Sequence, residues 1–259
     1  MNNNRNNHNR ESNGSGSHFL ADSTPWTART EMLIGAANLG KLRNSHVFVA
    51  GLGGVGGMAA EMIVRAGVGE ITIADSDVVH PTNRNRQIVA LKSTEGFLKA
   101  EVMAARLKDI NPEIRVNTIS EYLKGDILTE IASRSYDYVV DAIDTLAPKI
   151  FLIYNALQAG NKIVSSMGSG GKTDPENICI SDIADSHTCR LAYILRKRLH
   201  RLGVYSGFKV VFSPEKVDPE SYVVDEPSAN KKTTIGTISY MPPLFGCFIA
   251  SVVVRDLTE

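Results

Sequence analysis

Val47-Phe48-Val49-Ala50-Gly51-Leu52-Gly53-Gly54-Val55-Gly56-Gly57 decides the fold of this chain. Four apolar residues run as a strand straight into a glycine turn, and the turn opens a helix expected over 57–66. Gly51-x-Gly53-x-x-Gly56 has the dinucleotide-fold spacing, with Gly54 inside it. Residues without a Cβ let the backbone turn sharply and approach a phosphate closely, with helix N–H groups facing the anion. A tight turn without ligand would use the same glycines, so context decides. Asp75 supplies it, closing the next expected strand at 71–74, where a carboxylate can accept from ribose hydroxyls.

Outward from this unit, strands and helices alternate. Helices are expected at 27–42, 97–110, 125–134 and 148–159, and strands at 116–119, 138–140 and 163–166. The strands are continuously apolar, as strands covered on both faces are. The predicted class is α/β: a doubly wound, mainly parallel, Rossmann-like sheet with a C-terminal α/β extension over 167–259. That extension starts with a second glycine-rich loop, Met167-Gly168-Ser169-Gly170-Gly171-Lys172. It adds strands at 178–181 and 208–212, a basic helix at 189–202 and an apolar helix at 244–257. Residues 213–232 are polar and aperiodic, which predicts a mobile loop over the site. Residues 26–259 read as one domain, and 1–25, rich in Asn, Ser and Gly, as a disordered tail.

The 259 residues, 43% of them hydrophobic, suffice for one sizeable core. Lys+Arg and Asp+Glu both number 28, so any basic surface for a nucleic acid must be local. No apolar run reaches the length of an ordinary spanning helix, and the N-terminus lacks the apolar region of a signal peptide. The chain also ends soon after its last apolar helix. A soluble, cytoplasmic protein without membrane attachment is expected. Cys179, Cys189 and Cys247 are widely spaced and form no C-x-x-C pair, which argues against a disulfide framework and a zinc ribbon.

Polar and cationic residues beyond Asp75 separate this site from one that only binds a nicotinamide. Asn83-Arg84-Asn85-Arg86-Gln87 lies just past a strand end, where open α/β sheets bind ligands. A guanidinium there can hold phosphate oxygens through paired bonds. Lys99 can meet the same phosphates as a point charge. Asp141-Ala142-Ile143-Asp144 ends another strand; Asp141 orders the strand end, and Asp144, further out, can hold Mg²⁺. Such a set neutralises charge when an attacking oxygen displaces a phosphate. The chemistry it suits is adenylation or phosphoryl transfer on ATP, with Asn83, Arg86 and Lys99 around the triphosphate and Arg84 behind them. No cysteine stands out as a nucleophile; Cys189 alone has basic neighbours in sequence. Arg196, Lys197, Arg198 and Arg201 give one helix a basic face, which is either solvated or set against a nucleic-acid backbone.

These residues together resemble the ubiquitin-activating-enzyme-like superfamily, the ThiF and MoeB type. The matching features are Arg29 in a helix before the first strand, the 51–56 glycine loop, Asp75, the Asn83–Gln87 segment, Lys99, and Asp141 with Asp144. Within it the chain is similar to the tRNA threonylcarbamoyladenosine dehydratase group. The supporting stretches are 28–35, 142–149, 196–199, 211–213 and 236–242. The resemblance implies an ATP- and Mg²⁺-dependent enzyme that adenylates the carboxylate of threonylcarbamoyladenosine in tRNA and closes it to the cyclic form. It further implies a homodimer in which Arg29 reaches the partner's nucleotide. A sulfur-relay protein is carried as a further partner. Two rivals remain at this point: an activator of a ubiquitin-like sulfur-carrier protein, and a nucleotide-sensing module without turnover. The Asn-rich tail departs from the family pattern.

Overall fold

The computed structural model describes residues 25–223 and 234–259. Its main sheet has seven strands: β1 (His46–Ala50), β2 (Glu70–Ala74), β3 (Arg115–Ile119), β4 (Tyr138–Asp141), β5 (Ile163–Ser166), β6 (Cys179–Asp182) and β7 (Lys209–Phe212). Their spatial order is β3-β2-β1-β4-β5-β7-β6, and every pair is parallel except β6 with β7. The chain therefore winds outward from β1 in both directions. The β1–β4 junction is the point where the winding reverses, which is where open α/β sheets carry their ligand crevice. Residues 224–233 and 1–24 lie outside the described residues, and with them most of the expected tail and part of the expected 213–232 loop.

Alternate side chains along each strand enter opposite cores, as the period of two requires. Val47, Val49, Ile71, Ile73 and Val140 face the core built with α3 (Gly56–Ala66), α4 (Lys99–Ile110) and α8 (Met241–Thr258). Phe48, Ala50, Val139 and Phe212 face the other, built with α5 (Gly125–Ala132), α6 (Leu146–Gln158) and α7 (Arg190–His200). Phe48 is fully buried, worth about 1.5–3 kcal/mol by area transfer. The two edge strands depart from the apolar rule: β3 leaves Arg115, Asn117 and Thr118 exposed, and none of the four residues of β6 is buried.

The helix expected over 27–42 is two helices, α1 (Ala28–Ile34) and α2 (Ala36–Arg43), because Gly35 adopts φ 82° and breaks the hydrogen-bond ladder. α4 starts two residues later than expected: the Phe97 carbonyl accepts from Val79 N at 2.8 Å, holding the chain extended up to Leu98. The last helix is longer than 244–257, because Pro242 and Pro243 fit its first turn, where no N–H is required. At 18 residues α8 is long and apolar enough, by length and composition, to cross a bilayer. Phe245, Ile249 and Val253 lie fully buried in the sheet core. Its far end is fastened by Asp256, which accepts from Tyr138 Oη at 2.8 Å and pairs with Lys209 at 2.6 Å.

Between α3 and α4 a single carboxylate holds two cations. Glu61 is 5% exposed and pairs with Arg65 Nε at 2.8 Å and Arg106 Nε at 2.5 Å. Burial pushes its carboxyl up, but the two guanidiniums outweigh that and hold it below its ordinary value of 4.5. A depressed native value means stability present above pH 4.5 and lost as pH falls through the native value. Glu61→Gln is expected to lose on the order of 1–3 kcal/mol at neutral pH. Denaturant melts from pH 7 to pH 3 should show a smaller acid-induced loss in Glu61→Gln than in the parent. Parallel pH profiles would refute the coupling.

Candidate functional site

The glycine turn is fixed by backbone crowding. Gly51 has φ 89°, donates to Ala74 O at 2.8 Å, and would place a Cβ 2.7 Å from Ala142 O. A Cβ on Gly56 would collide with the Gly51 carbonyl, and one on Gly54 would stand 2.7 Å from Pro242 Cβ. Gly53 differs: its nearest neighbour would be Gln87 Nε2 at 3.8 Å. Three of the four glycines are thus demanded by packing, while Gly53 keeps its side of the turn clear. α3 starts at Gly56, so its free N–H groups end at this turn.

Asp75 stands where the sequence places it, at the end of β2. Its carboxylate accepts from Leu52 N at 2.7 Å and from Asp77 N at 2.9 Å, tying β2 to the glycine turn. Burial raises its pKa above the ordinary range, against the pull of the Lys99 ammonium and both N–H groups. Two carboxylate oxygens offer about four acceptor directions, so these bonds leave capacity for a hydroxyl. Lys99 is not an exposed helix lysine: it is 4% exposed and pairs with Asp77 Oδ2 at 2.8 Å. Asp77, three residues past the end of β2, is its counter-ion.

The 81–87 segment forms a compact turn. Asn83 Oδ1 accepts from His80 N at 3.0 Å, so this side chain caps the turn. Arg84 leans away to Glu95 at 3.3 Å. Arg86 lies beside Gly54, and its Nη1 donates to Thr82 O at 3.1 Å and Asn85 Oδ1 at 2.7 Å. Gln87 is buried against the glycine turn, and its Oε1 is one of the few buried side-chain atoms without a hydrogen-bond partner among the described residues. Its place in the Asn83–Gln87 segment was legible, but not its inward direction.

On the other side of the turn, Asp141 is fully buried and pairs at 2.7 Å with Lys149, equally buried. Ser165 Oγ donates to the same carboxylate at 2.5 Å. Lys149 Nζ also donates to Ile143 O at 3.0 Å, and Ile143 N to Asp141 Oδ1 at 3.2 Å. Burial raises the Asp141 carboxyl, and Lys149 opposes this. This buried pair shapes the turn that presents Asp144, exposed, at the sheet edge. Nothing in the sequence pattern marked Lys149 as an internal lysine; it falls on the helix surface only by composition.

The second glycine loop is clamped to the segment that leaves β7. Lys172, 3% exposed, donates to Ser213 O at 2.9 Å and Glu215 O at 2.7 Å. The Glu215 carboxylate accepts from Thr173 N, Thr173 Oγ1 and Asp174 N at 3.0–3.1 Å. Gly171 N donates to Gly236 O at 2.8 Å, and Tyr240 Oη to Thr173 O at 2.9 Å. Ser213 and Glu215, expected within a mobile loop, are therefore anchored.

Two groups of expected site residues lie elsewhere. Thr27 packs at the Gly67 end of α3, opposite the glycine turn, so Arg29, exposed two residues on, starts from the far edge of the sheet. In α7, Arg196 turns inward: Nη1 donates to Ser186 O and Ser186 Oγ, bracing the 183–186 turn. It is withdrawn from the basic face, whereas Lys197, Arg198 and Arg201 are exposed. Cys189 is buried at the cap of α7, and burial pushes the Cys247 thiol up. Neither is presented as a nucleophile.

A doubly wound sheet with a phosphate-type turn at its reversal point defines a nucleotide-binding α/β protein, and the chain belongs to the ThiF family, whose profile matches residues 27–259. It is 39% identical over 239 residues to the tRNA threonylcarbamoyladenosine dehydratase of Bacillus subtilis (strain 168), covering 90% of this chain and 94% of that protein. It is 42% identical over 210 residues to the dehydratase of the same name from Escherichia coli (strain K12), covering 77% and 78%. The crystal structure of the E. coli enzyme, TcdA, in complex with ATP superposes with a TM-score of 0.81 at 36% identity, over 89% of this chain and 93% of that one.

The buried Asp141–Lys149 pair gives a stability test. Lys149→Met should cost about 3–5 kcal/mol, because it strands a buried carboxylate. Adding Asp141→Leu should recover part of that loss in urea melts. A single variant as stable as the parent would show that Asp141 is held neutral by other means.

Proposed function

We propose that this chain is an ATP-dependent tRNA threonylcarbamoyladenosine dehydratase. The observation that carries the reading is the likeness of most of the chain to dehydratases of that name; Asp75 and Arg86 against the glycine turn, Lys99 beside Asp77 and the exposed Asp144 past β4 support it. Asp75 accepts from the ribose hydroxyls of ATP, and the 51–56 turn with the α3 N-terminus holds phosphate. Arg86 and Lys99 balance the charge that builds when an oxygen of the substrate carboxylate attacks the α-phosphorus and pyrophosphate departs. The substrate's own nitrogen or oxygen then closes on the acyl-adenylate carbonyl, releasing AMP, so no protein nucleophile is required. Asn83 serves the triphosphate indirectly, by shaping the turn that carries Arg86.

Among the described residues no cluster of three His, Cys, Asp or Glu side chains could cage a metal ion. One carboxylate suits Mg²⁺ nevertheless, since this ion is held through one or two carboxylates, phosphate oxygens and water. Asp144 would be that carboxylate, and the ion would supply charge neutralisation of the phosphates. The exposed Met32 and Leu33 of α1, 79% and 85% accessible, support a homodimer that buries this helix and brings Arg29 to the partner's site. α7 extends the reading to tRNA. His187, just before it, packs on Phe212 at the site end of β7, and β7 begins again at Lys209 on the opposite edge. The helix thus runs away from the site over roughly 16 Å. Lys197, Arg198 and Arg201 would meet phosphates remote from the modified base. Free cysteines suit a reducing cytosol.

Incubation of threonylcarbamoyladenosine-bearing tRNA with the protein, ATP and Mg²⁺ should convert the nucleoside to its dehydrated form, read by mass spectrometry. An unchanged nucleoside would overturn the assignment. Asp144→Ala should abolish this conversion without changing the circular dichroism spectrum. Changing Lys197, Arg198 and Arg201 to Gln should weaken tRNA binding and flatten its salt slope by about 0.9 per lost duplex phosphate contact. An unchanged slope would return α7 to a solvated face.

A further inference from the structure

Asn85 holds two parts of the molecule together. Its amide oxygen accepts from Arg86 Nη1 at 2.7 Å, while its amide nitrogen donates to Thr237 O at 2.9 Å, across 152 positions of sequence. Thr237 belongs to the stretch that enters α8, and its neighbour Gly236 is pinned to the second glycine loop by accepting from Gly171 N.

The guanidinium geometry gives these bonds a direction. Nη1 carries two protons. The contacts to Thr82 O at 3.1 Å and Asn85 Oδ1 are two acceptors for those two protons. A bidentate contact with a phosphate must then use the Nε–Nη2 edge, the side-on fork of arginine. Arginine is rich in rotamers, and fixing it before the ligand arrives removes an ordering cost from the bound state and from the transition state.

We propose that Asn85 is a positioning residue: it locks Arg86 in the rotamer that leaves its Nε–Nη2 edge for a phosphate group, and it is itself held in place by the Thr237 carbonyl. The inference rests on Arg86 serving the triphosphate. Through Asn85 the orientation of that arginine depends on the 236–240 stretch, so the two glycine-rich loops are mechanically connected at the site.

Steady-state kinetics of tRNA dehydration with Asn85→Ala, Asn85→Asp, Asn85→Gln and Arg86→Ala tests it, with ATP affinity measured separately by calorimetry. Asn85→Ala should lower kcat about tenfold and weaken ATP binding severalfold while the thermal midpoint stays within a degree or two. Asn85→Asp keeps an oxygen for Arg86 but cannot donate to Thr237, so it should be impaired as well. Asn85→Gln, which retains both groups, should recover part of kcat. Asn85→Ala with parental kcat and ATP affinity, beside an inactive Arg86→Ala, would overturn the inference and leave the site intact. A fully active Asn85→Asp beside an impaired Asn85→Ala would overturn the Thr237 anchor. An active Arg86→Ala would instead remove the premise about Arg86 itself.

Discussion

Three backbone segments meet at the head of β1 with no room for a side chain between them. The Gly51 Cα faces the Ala142 carbonyl, Gly56 sits against the Gly51 carbonyl, and Gly54 is roofed by Pro242. This crowding makes β1, β4, α3 and the start of α8 one rigid corner. Asp75 then hangs from the corner by the Leu52 amide, and the Ala142–Asp144 turn leaves it on the other side. Relaxing the contact would shift each neighbouring group together, because close-packed elements transmit displacement instead of absorbing it.

Buried charge does the secondary positioning. Lys99 is held by Asp77, Asp141 by Lys149 and Ser165, and Lys172 by the carbonyls of Ser213 and Glu215. Burial pulls the Lys172 ammonium below the ordinary lysine range, against its acidic neighbours Cys189 and Glu215. Each arrangement costs desolvation that an apolar packing would avoid. All three stand where a loop leaves a strand on the site edge. A side chain held by several directional bonds tolerates little rotation, and the groups of an active site need that restraint more than they need net stability.

Much of this was legible in the sequence, for local reasons. The alternating sheet, the glycine turn and Asp75 at a strand end follow from period and turn chemistry, while the ThiF-type set of residues is legible through resemblance to a known family. The features that escaped depend on distant partners. Lys149 and Lys172 look like surface lysines until Asp141 and the post-β7 carbonyls come to meet them. Arg196 is indistinguishable from Lys197 and Arg198 until the 183–186 turn folds beneath it. Gly35 inside an apolar helical pattern hid a break between two helices, since a glycine there is compatible with either outcome. Arg29 stands on the far edge, a placement that follows from how α1 packs against the Gly67 end of α3 and that its own sequence neighbourhood does not signal.

The packing of α8 on α3 also sets an order in time. Gly246 admits the Val55 carbonyl so closely that a Cβ there would stand 2.5 Å from it, and Pro242 closes over Gly54. The phosphate turn, encoded near the start of the domain, is therefore completed by residues almost two hundred positions later. During vectorial synthesis the strand, turn and helix around Gly51 can form early, but they remain a half-lined corner with an apolar flank open to solvent. The corner around Gly51 takes its final shape only when residues 241–258 have emerged and docked, so a shorter ribosome-bound fragment would leave Gly54 and the Val55 carbonyl uncovered.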